Sequence, residues 1–114
     1  MANQFEMIGT VLVACLQGKL NSTNAEQTEA QILQHINRGT NQLVIDLGEL
    51  DYISSAGLRV VLVTAKRLKQ SAGQMALCGI SNPIREVFEI SGFFNILDVA
   101  ESREQALSRF NQTA

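Results

Sequence analysis

The sequence predicts an α/β domain in which a mixed, mostly parallel sheet is packed with helices, with its elements in the order β-β-α-β-α-β-α-β-α. Short apolar, β-branched runs alternate with segments of helical periodicity, which is the pattern of such folds. The chain of 114 residues suits a single domain, expected to span residues 1–114. Its 46% hydrophobic and 18% charged residues are typical of a packed core rather than of a disordered chain.

Two apolar segments at the start of the chain predict a hairpin. Residues 5–9 and 11–17 are rich in apolar and β-branched side chains, and Gly9-Thr10 can form the turn between them. The motif Thr23-Asn24-Ala25-Glu26 then has the form of a capping box, which predicts a helix start. Apolar positions recur behind it at helical spacing, and Gly39 suits the position just past the helix end.

The remaining strands and helices follow by the same rules. Strands are predicted over residues 42–47, 75–80 and 96–99, with a loop over residues 48–53. A second helix begins near Ser54 or Ser55, because Leu58, Val61 and Leu68 form an apolar stripe behind them. A third opens at Ser81-Asn82-Pro83, where proline costs no useful amide, and Ser102-Arg103-Glu104-Gln105 can cap a final one.

Charge and hydropathy exclude several classes of function. The net charge is −2 and no basic run occurs, which gives no general electrostatic reason to bind nucleic acid or an anionic membrane. The longest apolar stretches, such as residues 60–65, fall far short of the ~20 residues that span a bilayer. Residues 1–9 lack the features of a signal peptide, so a cytoplasmic protein is expected. Without an obvious apolar patch, a monomer is the expected state.

The segment of residues 46–59 joins the third predicted strand to the second predicted helix and places Ser54 and Ser55 at the helix start. In open α/β sheets, function gathers beyond the carboxyl ends of the strands. A helix N-terminus carries about half a positive charge and unpaired amides, so a phosphoserine there gains hydrogen bonds. The small residues Ala56 and Gly57 leave room for another protein at the hydroxyl. A serine here is also commonly a plain helix cap, and position alone leaves both interpretations open.

Three segments carry a family resemblance. They are the turn Gly18-Lys19-Leu20-Asn21; Asp46-Leu47 followed by Tyr52-Ile53-Ser54-Ser55-Ala56-Gly57-Leu58; and Leu77-Cys78-Gly79-Ile80-Ser81 with Val87-Phe88-Glu89-Ile90-Ser91-Gly92, then Phe94 and Ile96. In this order, and in a chain of this length, they resemble the STAS domain family, and most closely the bacterial anti-sigma factor antagonists. The resemblance runs nearly end to end and implies a single STAS-like domain.

The resemblance also implies a partner-switching cycle. The unphosphorylated antagonist binds an anti-sigma factor that is also a serine kinase of the histidine-kinase-like ATPase superfamily, and this binding frees a sigma factor. The kinase phosphorylates the antagonist with ATP and releases it, and a metal-dependent serine phosphatase resets it. The family's phosphorylated serine directly follows the motif aspartate, so the matching residue here is Ser55, with Ser54 as the second candidate.

Around this serine, the fold resemblance implies a docking face formed by Gly18, Asn21, Asp51, Ser54, Ala56, Gly57 and Arg59. The chain departs from the family pattern at two of these positions. Ser54 replaces the motif aspartate and Asn21 replaces the turn aspartate, so that two carboxylates are missing near the site. Which kinase reads this surface, and whether a sigma factor is the output, stay open.

Two other functions compete with the phosphoswitch. One is a scaffold or ligand-sensing STAS module without phosphorylation. The other is a small hydrolase or transferase, which needs a base near its nucleophile. The sole histidine, His35, is expected on the exposed side of the first helix, away from the serines, and the G-x-S-x-G elbow is absent. A non-enzymatic protein is therefore expected.

Cofactor and metal sites are not expected either. Neither a P-loop nor G-x-G-x-x-G occurs. The carboxylates Asp46, Glu49 and Asp51 can be caps or loop residues rather than metal ligands. Cys15 and Cys78 lie in apolar runs without C-x-x-C spacing, which predicts two buried thiols.

Overall fold

A computed structural model describes residues 3–92 and 97–111 of the chain. The strands in these residues are β1 Gln4–Ile8, β2 Val11–Cys15, β3 Gly18–Leu20, β4 Gln42–Asp46, β5 Leu50–Ile53, β6 Gln74–Cys78 and β7 Val99–Ala100. The helices are α1 Ala25–Asn37, α2 Ser55–Gln70, α3 Asn82–Ser91 and α4 Arg103–Asn111.

Five strands form the main sheet, in the order β1-β2-β4-β6-β7. β1 and β2 pair antiparallel across a turn at Gly9 (φ +63°), and the other pairs in this sheet are parallel. The predicted mixed, mostly parallel sheet that is entered by a hairpin is therefore confirmed. Central parallel strands are covered on both faces, which explains why residues 11–16 are all buried and uniformly apolar.

The two faces of the sheet carry separate clusters of apolar side chains. Leu12, Leu43, Ile45 and Leu77 point toward α1, α2 and α3, while the alternate positions of the same strands pack with Ala106 and Phe110 of α4. This division follows from the two-residue period of a strand. None of the helices in the described part of the chain has the length and apolarity that a bilayer crossing needs.

The prediction of a loop over residues 48–53 is wrong for its last four residues. Leu50–Ile53 is the strand β5, and it pairs in parallel with Gly18–Leu20, the strand β3, in a second sheet of two strands. Each strand has only three or four residues and makes its hydrogen bonds with a distant segment. Local sequence signals are weak for such short strands, and the glycines at positions 18 and 48 favour a loop there.

Two further predictions differ from the structure. The capping box at Thr23 does not form, because α1 begins at Ala25 and Asn24 occupies the cap position without a side-chain cap bond. The last strand is Val99–Ala100 rather than residues 96–99; Ile96 and Phe94 lie outside the described residues. The cap of α4 is confirmed, since Gln105 donates its amide to Ser102 Oγ at 3.2 Å.

Cys15 and Cys78 are buried free thiols, as expected. They end β2 and β6, the two neighbours of β4, with Asp46 in register between them. Burial raises the pKa of Cys15 and, with Asp46 nearby, raises that of Cys78 to about 12. Both thiols are therefore protonated and unreactive at neutral pH.

Asp46 connects α4 to the loop that leads into β5. One carboxylate oxygen accepts from the amide of Gly48 at 2.9 Å. The other accepts from Arg103, with its Nε at 3.1 Å and its Nη2 at 3.0 Å. Since the Asp46 side chain is only 16% exposed, these bonds are partly shielded from water.

Arg103→Ala should lower the free energy of unfolding by about 1 to 2 kcal/mol, because it leaves the Asp46 carboxylate, only 16% exposed, without a charged partner among the described residues. Urea denaturation followed by circular dichroism measures the loss as a shift of the midpoint at constant slope. Arg109→Ala is the matched control on the same helix. Its ion pair with Asp98 is more exposed to water, so the loss should stay below about 1 kcal/mol. Equal losses in the two variants would contradict this role for Asp46.

Candidate functional site

Ser54 and Ser55 lie where β5 meets α2. β5 ends at Ile53 and α2 begins at Ser55, so that Ser54 alone separates them. The predicted helix start is therefore confirmed. Ser54 has an extended backbone (φ −94°, ψ 177°), as residues at the N-cap position usually do.

Three hydrogen bonds hold Ser54 in place at the junction of β5 and α2. Its hydroxyl accepts from the amide of Gly57 at 3.3 Å, and its carbonyl accepts from the amide of Leu58 at 2.8 Å. Its own amide donates to the carbonyl of Leu20 at 2.9 Å. The interpretation as a plain cap, left open by the sequence, thus applies to Ser54.

Ser55 differs from Ser54 in exposure and in bonding. It is the first residue of α2, is exposed, and its hydroxyl has no hydrogen-bond partner among the described residues. The backbone amides of Ser55 and Ala56 are likewise unpaired within the part of the chain that the structure describes. No acidic residue lies in the first turn of α2. A negative charge on the Ser55 hydroxyl would therefore be added to a helix start that lacks one.

Gly57 allows the first turn of α2 to approach β3. A Cβ atom at this position would lie 2.6 Å from the carbonyl oxygen of Leu20, and 2.8 Å from both Leu20 Cγ and Ile53 Cγ1. Such distances are shorter than any that real Cβ atoms make. Gly57 is itself buried, so it contributes to the site through this close packing rather than as part of the surface.

The pairing of β3 with β5 brings Asn21 to the serines. Leu20 is in register with Ile53, so that Asn21 and Ser54 follow directly at the same end of the small sheet. Asn21 Oδ1 accepts from the amide of Thr23 at 3.0 Å and from its hydroxyl at 2.6 Å. The side chain of Asn21 therefore holds the turn that enters α1.

The remaining residues expected at the docking face occupy different parts of this region. Gly18 lies at the far end of β3, where its amide donates to the carbonyl of Glu49 at 3.1 Å. Asp51 is exposed on β5. On α2, Ala56 is half-buried next to Ser55, and Arg59 is exposed one turn further along.

Lys19 and Tyr52 are site residues that sequence reasoning missed. They are in register with each other across β3 and β5, and both are exposed; Tyr52 exposes half of its surface. A lysine and a tyrosine in predicted loops carry no sequence signal that the two face each other. Their juxtaposition depends on the two short strands, which is why only the structure finds it.

The residues that hydrolysis would need are not near the serines. His35 was expected on the exposed side of α1, which is wrong: it is half-buried, and its ring stacks on Phe5 of β1 with centroids 5.1 Å apart. The described residues contain no group of three or more side chains that could hold a metal ion. Among the described residues, the exposed hydroxyl of Ser55 thus has no histidine hydrogen-bonded to it.

A comparison with protein-family models matches residues 3–106 to the STAS domain. BtrV of Bordetella bronchiseptica, by name a candidate anti-sigma factor antagonist, is 54% identical over 105 residues, which cover 92% of this chain and 90% of BtrV. BtrV and an anti-sigma F factor antagonist of Paenibacillus polymyxa, 29% identical over 86% of this chain and 85% of its own, carry the names of regulators, in agreement with the expectation of a non-enzymatic protein.

Solved structures show the same fold. The Bacillus protein SpoIIAA in its phosphorylated form is 30% identical, covers 96% of this chain and 99% of its own, and superimposes with a TM-score of 0.76. Its unphosphorylated form, described as an anti-sigma factor antagonist, is 26% identical, covers 96% of this chain and 98% of its own, and superimposes with a TM-score of 0.77. A Thermotoga maritima protein that is also described as a candidate anti-sigma factor antagonist is 19% identical and covers 94% of this chain and 92% of its own. It superimposes with a TM-score of 0.90.

Gly57→Ala should destabilise the protein by about 1 to 3 kcal/mol, because the new methyl group overlaps the carbonyl of Leu20. Helix propensity alone predicts the opposite change in stability, because alanine is more favourable than glycine inside a helix by about 1 kcal/mol. Thermal unfolding of the variant measures the effect. Ser55→Ala, two residues earlier and exposed, is the control and should stay within about 0.5 kcal/mol of the wild type. A more stable Gly57→Ala protein would contradict the close approach of α2 to β3.

Proposed function

The chain belongs to the STAS domain family, and we propose that it acts as an anti-sigma factor antagonist whose choice of partner is set by phosphorylation of Ser55. The observation that carries this proposal is the exposed hydroxyl of Ser55, which has no partner among the described residues at the first position of α2. The homologues named as anti-sigma factor antagonists support the general function. The phosphorylated form of SpoIIAA supports a phosphoswitch in a related fold.

Between the two serines, exposure and bonding favour Ser55. Modification of Ser54 would require its hydroxyl to leave Gly57 and would remove the cap of α2, at a cost of about 1 kcal/mol. Modification of Ser55 breaks no hydrogen bond of the described residues. Small neighbours, among them the half-buried Ala56, leave the Ser55 hydroxyl open to a kinase.

The chemistry needed from this chain is that of a substrate. Ser55 Oγ attacks the γ-phosphorus of ATP held by the kinase, the new O–P bond forms, and the bond to the bridging β–γ oxygen breaks, so that ADP leaves. The hydroxyl proton passes to a base on the kinase, since the described residues offer no histidine nearby. A phosphatase then transfers the phosphoryl group to water and restores the hydroxyl.

The family resemblance supports a proposal for the partners. We propose that the unphosphorylated form binds an anti-sigma factor that is also a serine kinase of the histidine-kinase-like ATPase superfamily, and that a metal-dependent serine phosphatase reverses the modification. We place this cycle in the cytoplasm and propose that the chain acts as one monomeric STAS domain. The docking face comprises the exposed residues Asp51 and Arg59 with Gly18, Asn21 and Ala56, while Gly57 supports it from below.

Ser55→Asp should weaken binding to the kinase about tenfold or more, whereas Ser55→Ala should bind as well as the wild type but accept no phosphate. The reason is that a charge at the docking face must be desolvated or face a like charge when the partner binds. Affinity capture with the two variants, followed by calorimetric titration of the captured ATPase, measures the difference.

Ser54→Ala is the matched control for the site. It should lose about 1 kcal/mol of stability through its cap and still be phosphorylated. Phosphorylation of the double variant Ser54→Ala/Ser55→Ala at the wild-type rate would show that the site lies elsewhere. Persistent absence of phosphoserine from protein isolated from its native cell would instead favour the scaffold or ligand-sensing module.

A further inference from the structure

Resting on the proposed phosphorylation of Ser55, we propose that Arg59 binds the phosphate within the same helix. Phosphorylation would then change the docking face twice, because it adds an anion at Ser55 and occupies a cation that is otherwise free to contact the partner. In the phosphorylated protein, Arg59 would thereby position the phosphate on Ser55.

The geometry of α2 carries this assignment. Ser55 and Arg59 are separated by four residues in one continuous helix, Ser55–Gln70, and both are exposed. Side chains at this spacing lie on the same face, with Cβ atoms about 5 to 6 Å apart. The long arginine side chain reaches back toward the start of the helix, and its planar guanidinium matches two phosphate oxygens.

Arg59 is also available for this role. Among the described residues it makes no ion pair and no side-chain hydrogen bond. By contrast, Arg67 on the same helix donates to Asn37 at 2.6 Å, and Arg103 and Arg109 are held by carboxylates. The first turn of α2 offers Arg59 no acidic residue with which a phosphate would have to compete.

Lys19, on the neighbouring strand β3, is a rival cation. It is exposed on β3, one residue before Leu20, whose carbonyl accepts from the amide of Ser54. Its side chain, however, is in register with Tyr52 across the small sheet rather than with the first turn of α2. Asp51 and Glu49 are the exposed anions on the β5 side and would repel the phosphate. The helical spacing therefore favours Arg59 over Lys19.

The test is a phosphorus NMR titration of full-length protein with phosphoserine installed at position 55 by genetic code expansion, so that no kinase is needed. A nearby cation favours the dianion and lowers the phosphate pKa. Arg59→Ala should raise that pKa by about 0.2 to 0.7, a change of roughly 1.5- to 5-fold in proton affinity, given the usual strength of such pairs. Arg59→Lys should recover part of the shift, and added salt should shrink the difference between wild type and Arg59→Ala.

Lys66→Ala removes an exposed lysine from the same helix, well away from the first turn, and should leave the phosphate pKa unchanged. The proposal is overturned if Arg59→Ala leaves the phosphate pKa unchanged, or if Lys19→Ala raises it more than Arg59→Ala does. Either result leaves the proposed function intact, because weaker kinase binding by phosphorylated Ser55 is measured separately. Conversely, a phosphate bound by Arg59 in a protein that no kinase modifies in the cell would support the geometry and count against the switch.

Discussion

The site depends on the contact between the first turn of α2 and the backbone of Leu20. The carbonyl of Leu20 accepts the amide of Ser54, and the same carbonyl lies where any side chain at Gly57 would have to go. Together these contacts fix the residue at which α2 begins. They therefore decide that Ser54 is the cap and that Ser55 is the first exposed helical residue. A shift of one residue would exchange the roles of the two hydroxyls.

A switch built at this position does not need to change the fold. The buried face of α2, with Leu58, Val61 and Leu68, packs in the core, whereas Ser55 is exposed at the start of the helix. A phosphate adds about 1.5 to 2 negative charges. That is comparable to the net charge of −2 of the whole chain, but it is concentrated at one exposed hydroxyl. A partner that binds this face would meet the charge within a Debye length of roughly 8 Å.

The sequence predicts this protein well where local signals and core patterning agree. Buried strands such as β2 and β4 are continuous apolar runs, and the α2 stripe of Leu58, Val61 and Leu68 follows helical spacing, so both were found with their order and sheet type. The short strands β3 and β5 were missed because their stability comes from pairing across more than thirty residues of chain, which no local pattern reports. The position of the serine pair was predicted from the sequence. Only the structure shows that Ser54 is the hydrogen-bonded cap and that Ser55 has the exposed hydroxyl. The stacking of His35 on Phe5 likewise joins distant segments.

The structure gives a physical explanation for the two positions, Ser54 and Asn21, at which the family pattern has an aspartate. At the cap of α2 a serine hydroxyl can accept the Gly57 amide as a carboxylate would, and Asn21 accepts from Thr23 as an aspartate would in an Asx turn. Both residues keep a hydrogen-bond acceptor at these positions, and neither carries the negative charge of an aspartate. A phosphate on Ser55 therefore meets less repulsion from its surroundings, and Arg59 has no carboxylate in the first turn to pair with beforehand. Since electrostatic energies at an exposed site are small, a carboxylate paired with Arg59 in the first turn would weaken any contact between this arginine and a phosphate. In the proposed switch, the missing aspartates and the unpaired Arg59 would therefore act in the same direction, since both would favour a phosphate whose charge is partly neutralised within α2.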